Sequence, residues 1–188
     1  MFDSQDPQGN DGLPWGWFDK GDIRTYRELY DSLPNGAVTA EIGVWQGRSI
    51  CSVADIILRK NLKVYAIDTF KGSPSAIDVV HDCKGKLKDI FNENISKFRL
   101  GNNVVIIEDD SISAAKKINQ FFNLVFIDSN HSPSSVESDI SFWLPLVKKR
   151  GVLSGHDYDW VKDIVHRELE KKGFKIITDN RNIYWIRT

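Results

Sequence analysis

VTAEIGVWQGRS, residues 38–49, is the stretch on which the reading of this 188-residue chain turns. Val38, Ala40 and Ile42 suit a buried strand, with Glu41 at its end inside the turn that follows. Gly43 and Gly47 bracket that turn, where backbone without a side chain permits positive φ or the close approach of a ligand. Beyond Gly47, the residues Ile50, Val53, Ala54, Ile57 and Leu58 recur at helical spacing and predict one helix with a face turned to a sheet. Strand, glycine turn and helix make a ligand cradle, and in open α/β sheets such a cradle lies at the carboxyl ends of the strands.

Working outward, KVYAI at 63–67 predicts a second strand delivering Asp68, with a loop from Thr69 to Ser75. Strand, helix and strand in so short a span form a right-handed parallel unit. Leu87, Ile90, Phe91, Ile95 and Phe98 predict a helix that stops at Gly101-Asn102-Asn103, ahead of a third strand at 104–107. Ile112, Ala115, Ile118 and Phe122 predict another helix, and residues 124–127 a fourth strand ending at Asp128. The next helix, marked by Val136, Ile140, Trp143, Leu144 and Val147, meets Pro145, which imposes a late kink or a local end. Strand five, 152–154, delivers His156 and Asp157, and a helix through Ile164, Val165 and Leu169 leads to strands at 175–178 and 183–186. The link between these last two is too short for a parallel crossover, so they must form an antiparallel hairpin. Upstream, Ile23, Tyr26, Leu29, Tyr30 and Leu33 make a helical stripe that ends at Pro34-Asn35-Gly36. Residues 1–21 read as an extended arm anchored by Trp15, Trp17 and Phe18, and residues 22–188 as one domain.

Hydrophobic content of 41% is enough for one well-buried core, and 25 basic against 26 acidic residues give no field to attract nucleic acid or a membrane surface. Cys51 and Cys83 show neither metal-ligand spacing nor a disulfide framework, which suits a reducing cytoplasm. No run approaches the ~18 apolar residues of a membrane span, and no basic-then-apolar leader opens the chain.

Four acids fall at strand ends on the ligand side: Glu41, Asp68, Asp110 and Asp128. An acid after strand two is the ribose acceptor of dinucleotide folds, which makes NAD the first ligand to weigh. The G-x-G-x-x-G pattern is absent, however, and Glu41 would repel a pyrophosphate. S-adenosylmethionine, a cationic nucleoside with an ammonium, a sulfonium and a ribose diol, fits better.

EIGVWQGRS, AIDTFKG, EDDS, and FIDSNHS with GHDY resemble the motifs of class I S-adenosylmethionine-dependent methyltransferases, particularly the small domain that includes macrocin-type O-methyltransferases of macrolide sugars. The similarity runs from about Trp17 to the C-terminus. It implies a Rossmann-like α/β fold: a seven-stranded sheet, mostly parallel with an antiparallel last strand, and helices on both faces. By resemblance Glu41, Gly43, Trp45, Gly47 and Ser49 form the cofactor turn, with Glu41 and Gly43 against the methionine end. Asp68 with Thr69 takes the ribose, Asp110 with Ser111 borders the adenine, and Asp128 closes the cofactor site. Ser111 is also a good N-cap for the helix it begins, and Asp110 complements that helix dipole.

The resemblance also implies a divalent metal, Mg²⁺ or Mn²⁺, that acidifies an acceptor hydroxyl. Asp128 and Asp157 are its expected ligands, and His156 stands where the family's sugar enzymes carry an acid. Imidazole is a natural ligand for Mn²⁺ or Zn²⁺ and less so for Mg²⁺. His131, three residues after Asp128, is the expected general base, since an imidazole of ordinary pKa suits proton removal near neutral pH. Asp128 and His131 are thus the expected catalytic pair. The acceptor implied is a hydroxyl of a sugar or natural-product-like small molecule, with no nucleic-acid or membrane partner, and a homo-oligomer is compatible. Pro133 departs from the tyrosine often found in that motif. Two other readings stay open: a metal-independent methyltransferase in which His131 or His156 alone removes the proton, and a non-catalytic module that only holds the cofactor. Acceptor-facing loops are expected in the aromatic arm, at 70–86 and at 159–162, where Trp160 stands.

Overall fold

The computed structural model describes residues 11–72, 83, 85–179 and 182–188. Seven strands, β1 Val38–Ile42, β2 Lys63–Asp68, β3 Val104–Glu108, β4 Phe122–Ile127, β5 Val147–Gly155, β6 Ile177–Asp179 and β7 Ile183–Arg187, form one sheet in the order β3-β2-β1-β4-β5-β7-β6. β1 to β5 pair in parallel, and β7 runs antiparallel to both β5 and β6, which makes β6 and β7 the hairpin that the short link requires. Strand order reverses between β1 and β4. That switch point is where a crevice opens at the carboxyl ends of an open α/β sheet, and Glu41, Gly43 and Asp128 stand at it.

Helices α1 Lys20–Asp31, α2 Arg48–Ser52, α3 Ala54–Lys60 and α4 Leu87–Lys97 cover one face of the sheet. Helices α5 Ser111–Lys117, α6 Pro133–Trp143 and α7 Tyr158–Glu170 cover the other. The alternation of β4 shows why both faces need cover: Leu124 and Phe126 enter the first core, Val125 and Ile127 the second. Among the described residues no helix is long and apolar enough to cross a membrane.

Four local expectations are corrected. The helix after Gly47 is two helices, because Val53 leaves helical geometry (φ −114°, ψ 15°), and the turn this introduces leaves Leu58 exposed. The helix expected to reach Phe122 ends at Lys117; Phe122 is fully buried as the first residue of β4, where it pairs with Val147. Strand five is nine residues long rather than three, and Pro145 sits in a short 3₁₀ turn, Leu144–Leu146, that ends α6. β6 is a three-residue strand at 177–179, shorter and later than expected. The expected loop from Thr69 to Ser75 lies outside the described residues beyond Gly72, as does most of the acceptor-facing stretch at 70–86.

Gly43 fixes the spacing at the switch point. Its φ is +84°, its N–H donates to Ile67 O at 2.8 Å, and a Cβ placed on it would run into the carbonyl of Asp128. Gly36 also has a positive φ, +69°, but nothing lies near its missing side chain. Gly43→Ala should therefore lower unfolding free energy by at least about 2 kcal/mol in urea denaturation, against about 1 kcal/mol for Gly36→Ala, which carries only the backbone penalty.

Candidate active site

The glycine turn is held in shape from outside itself. Asp68 Oδ2 accepts the backbone N–H groups of Val44 (2.9 Å) and Trp45 (3.0 Å), and its Oδ1 accepts that of Phe70 (2.7 Å). Trp45 and Phe70 both adopt left-handed backbone (φ 48° and 54°), a conformation that costs a residue with a side chain about 1–2 kcal/mol, and the carboxylate offsets it. The residue expected at the ribose is thus also the clamp that shapes the glycine turn. Thr69 beside it accepts a backbone bond from Lys71 (3.2 Å). Gly47, at φ +83°, packs its bare Cα against the Phe91 ring before α2 begins.

Glu41 is fully buried. Its two carboxylate oxygens accept from the Tyr26 hydroxyl and the Ser49 hydroxyl, and a chain of hydroxyls continues through Tyr30, 3.1 Å from Tyr26, to Thr39 at 3.2 Å. Burial pushes the Glu41 carboxyl up to about 8, and the negative charge of Asp128 adds to this against the two hydroxyl bonds and the positive field of His156.

At the ends of β4 and β5 the structure brings together Asp128, His131, His156 and Asp157. Asp157 precedes α7 in left-handed backbone (φ 54°), and its side chain makes no capping bond to that helix. Its Oδ2 instead meets His131 Nε2 at 2.8 Å and His156 Nδ1 at 3.3 Å, while His156 Nδ1 is 3.4 Å from Asp128 Oδ1. Burial would raise the Asp157 carboxyl, but its two histidine partners override that and hold it well below the usual range. Burial likewise works against protonation of both histidines. Asp157 nevertheless raises His131, and Asp128, Asp157 and Asp22 raise His156 well above the ordinary imidazole value. The expectation of an unperturbed His131 is therefore corrected: its ion pair with Asp157 makes it a stronger base than free imidazole.

One donor atom each from Asp128, His131 and Asp157 lie within 4.8 Å of one another, all half-buried, a spacing that could hold a cation. His156, 4% exposed, faces the same carboxylates from the buried side, and its Nε2 lies 3.2 Å from Asp22 Oδ2. The approach is too oblique for a formed hydrogen bond, so the contact is an ion pair. Phe18 packs on the other side of the ring, 5.3 Å between centroids. Asp22 also closes the capping box of α1 and receives Asn182 Nδ2 at 3.3 Å. Its sequence signal, an acid three residues after Asp19, reads as a cap alone.

Asp110 is the N-cap of α5, accepting Ser113 N–H at 2.9 Å, and bonds from Ser113 hold its carboxyl below the ordinary value. Ser111 is not the cap. Its hydroxyl accepts Trp143 Nε1–H at 2.8 Å and donates to buried Asp139 on α6, whose other oxygen accepts from Ser129 at 2.5 Å. Burial raises the Asp139 carboxyl against those two bonds.

The arm docks through one buried cation. Arg48 donates to Phe18 O (2.7 Å) and Pro14 O (2.8 Å) and pairs with Asp11 at 2.5 Å, which seats Trp15 and Trp17 beside Trp45 of the cofactor turn. Trp160, 65% exposed, stands edge-on to His131 at 6.0 Å. Asp22, Tyr26, Arg48 and Asp139 carry no local signal of these roles, since every partner that matters is remote in sequence.

A Rossmann-like sheet with its crevice at the β1–β4 switch point, lined by acids, defines the class of domain. A sequence profile of the methyltransferase domain family matches residues 40–158. The chain belongs to that family and is a methyltransferase. No curated protein matches it. In fold it is similar to precorrin 8W decarboxylase from Methanobacterium thermoautotrophicum (TM-score 0.67, 16% identity, covering 96% of this chain and 95% of that one). It is also similar to the O-methyltransferase NovP (0.66, 17%, 88% and 78%) and to S-adenosylhomocysteine-bound methyltransferase PaMTH1 from Podospora anserina (0.64, 16%, 88% and 75%).

Two outcomes check the electrostatics. Glu41 is protonated in the folded chain up to about 8 but ionises near 4.5 when unfolded, so folding takes up a proton between these values. Stability should fall as pH rises from 5 through 8, and Glu41→Gln should flatten that slope by an amount on the order of a few kcal/mol in denaturant titrations at pH 5.5 and 8.5. Asp22→Asn keeps an acceptor for the capping box but removes a charge facing His156; ring NMR of His156 should show its pKa lowered from that of the wild type.

Proposed function

We propose that this methyltransferase moves the methyl group of S-adenosylmethionine to a hydroxyl of a sugar or natural-product-like small molecule, with a divalent cation assisting and His131 as general base. The observation that carries the reading is the contact between the two halves of the site: Gly43 of the cofactor turn abuts the backbone of Asp128, which with His131 and Asp157 forms the acid–imidazole group. Donor and acceptor are thereby held side by side, which is most of what methyl transfer from a sulfonium requires. Buried Glu41 suits the ammonium end of the donor, since a cation there regains the carboxylate charge that burial suppresses.

In the transfer the acceptor oxygen forms a bond to the methyl carbon as the carbon–sulfur bond breaks, leaving S-adenosylhomocysteine, and the hydroxyl proton must go to a base. His131 holds Nε2 against Asp157, so Nδ1 is the atom that takes that proton. Asp128 and Asp157, with His156 Nδ1 facing both from the buried side, would hold a divalent ion, Mn²⁺ more naturally than Mg²⁺ because one ligand is an imidazole, and His131 is left free to act as the base. Bound there, a divalent ion would lower the pKa of the acceptor hydroxyl and orient it. Trp160 and the arm tryptophans supply flat apolar surface near His131 and the cofactor turn, suited to the face of a sugar or aromatic acceptor. Cys51 and Cys83 are free thiols, in keeping with a cytoplasmic setting.

One observation favours a metal-independent variant: the imidazole of His156 already sits between Asp128 and Asp157, and their carboxylates favour its charged form. Radiolabelled methyl transfer to sugar, phenolic and natural-product acceptors, run with and without EDTA and alongside calorimetry of the donor, separates the two. Activity that EDTA abolishes and Mn²⁺ restores supports the assisted mechanism, and full activity after chelation supports the variant. With an acceptor found, His131→Ala should cut turnover by about 10²–10⁴-fold with donor affinity intact. Unchanged turnover in that variant refutes the base assignment.

A further inference from the structure

Asp139 takes no part in the transfer chemistry above, yet it is a nearly fully buried acid joined to both sides of the crevice. It lies on α6. Its Oδ1 accepts from Ser111, the first residue of α5 in the turn after β3, and its Oδ2 accepts from Ser129, immediately after Asp128 in the loop after β4. Ser111 also accepts the indole N–H of Trp143, one turn along α6, so its single hydroxyl proton is committed to Asp139. A carboxylate accepts only. It therefore draws both serine protons inward and ties two turns that no ladder bond connects directly, since β3 and β4 sit at opposite sides of the β1–β2 pair.

We propose that Asp139 is a positioning residue that locks the turn after β3 to the loop after β4, so that filling the donor site beside Ser111 orders the loop carrying Asp128 and His131. The placement of the donor beside Ser111 rests on the function proposed above; the lock itself rests on the Trp143, Ser111, Asp139 and Ser129 contacts. An asparagine at this position has one acceptor oxygen where the network needs two. A purely space-filling role for Asp139 would tolerate that change, because the two side chains have nearly the same shape.

The test uses the full chain and S-adenosylhomocysteine as probe, with four variants: Asp139→Asn, Ser111→Ala, Ser129→Ala and the Asp139→Asn/Ser129→Ala double. Without probe, amide hydrogen exchange should quicken at 110–113 and at 128–131 in Asp139→Asn, and at 128–131 in Ser129→Ala, while β1 and β4 keep wild-type protection. With probe, wild-type residues 128–131 should become more protected, and Asp139→Asn should lose that response. Calorimetry should show Ser129→Ala binding about 3–10-fold more weakly, and the double variant no weaker than Asp139→Asn alone. If Asp139→Asn fails to fold, Ser111→Ala, which removes a single hydroxyl from the far turn, should still quicken exchange at 128–131. Wild-type exchange at both turns in the variants overturns the lock, as does an additive double variant. A wild-type chain that does not bind the probe would overturn the donor assignment instead, and the probe-free exchange would still decide on Asp139.

Discussion

Gly43 and the backbone of Asp128 meet where strand order reverses, and the rest of the site depends on how closely they meet. Parallel strands β1 and β4 sit at the fixed spacing of a sheet, but the turns that leave them diverge unless something lets them stay together. A missing side chain at Gly43 does so. The consequence is that the turn expected to hold a methyl donor and the loop carrying the acid–imidazole group share a wall of backbone, with no side chain between them. Transfer between two bound molecules needs that adjacency more than it needs any single reactive group.

The same crevice is where the domain accepts groups that destabilise it. Glu41, Asp22, His156 and Asp139 are each almost completely buried, and an ionisable group out of water costs several kcal/mol unless its charge is lost or matched. Each is handled differently. Glu41 stays protonated to about 8 and is satisfied by two hydroxyls; His156 carries its charge among three carboxylates; Asp139 takes two serine protons; Asp22 combines a helix cap with an ion pair. Buried ionisable groups are costly to keep, so their gathering on the crevice side of the sheet is an argument for function rather than for folding.

Strands, their order of appearance and the terminal hairpin were legible because burial on two faces imposes long apolar runs and a four-residue link admits one geometry. Helix ends were less so. Phe122 falls four residues after Ile118 and so mimics a helical stripe, yet its burial comes from pairing with Val147, a contact that spacing cannot reveal. Val53 is apolar at a helical position and fully buried, yet its φ of −114° and ψ of 15° break the helix there, which spacing does not reveal. In the site, Glu41, Asp68, Asp128, His131, His156 and Asp157 were visible as acids and histidines at strand ends. What they do was only partly visible. Asp68 spends both oxygens on backbone N–H groups, two of them from the turn after β1, and His131 owes its basicity to Asp157, twenty-six residues on, through a loop whose course the sequence does not state.

The matched family span begins at residue 40, but several groups that shape the site lie before it. Tyr26 from α1 satisfies Glu41, Asp22 from the same helix faces His156, and Phe18 from the arm closes over that ring. Arg48, inside the span, grips Asp11, Pro14 and Phe18 and so fixes where α1 begins. The arm and first helix are therefore structural parts of the crevice. They bring polar groups to the β1–β4–β5 ends, aimed at two buried ionisable residues there, Glu41 and His156. A segment that only shielded the core would present apolar side chains to those positions; this one presents a phenol that donates to the Glu41 carboxyl and a carboxylate that faces the His156 imidazole.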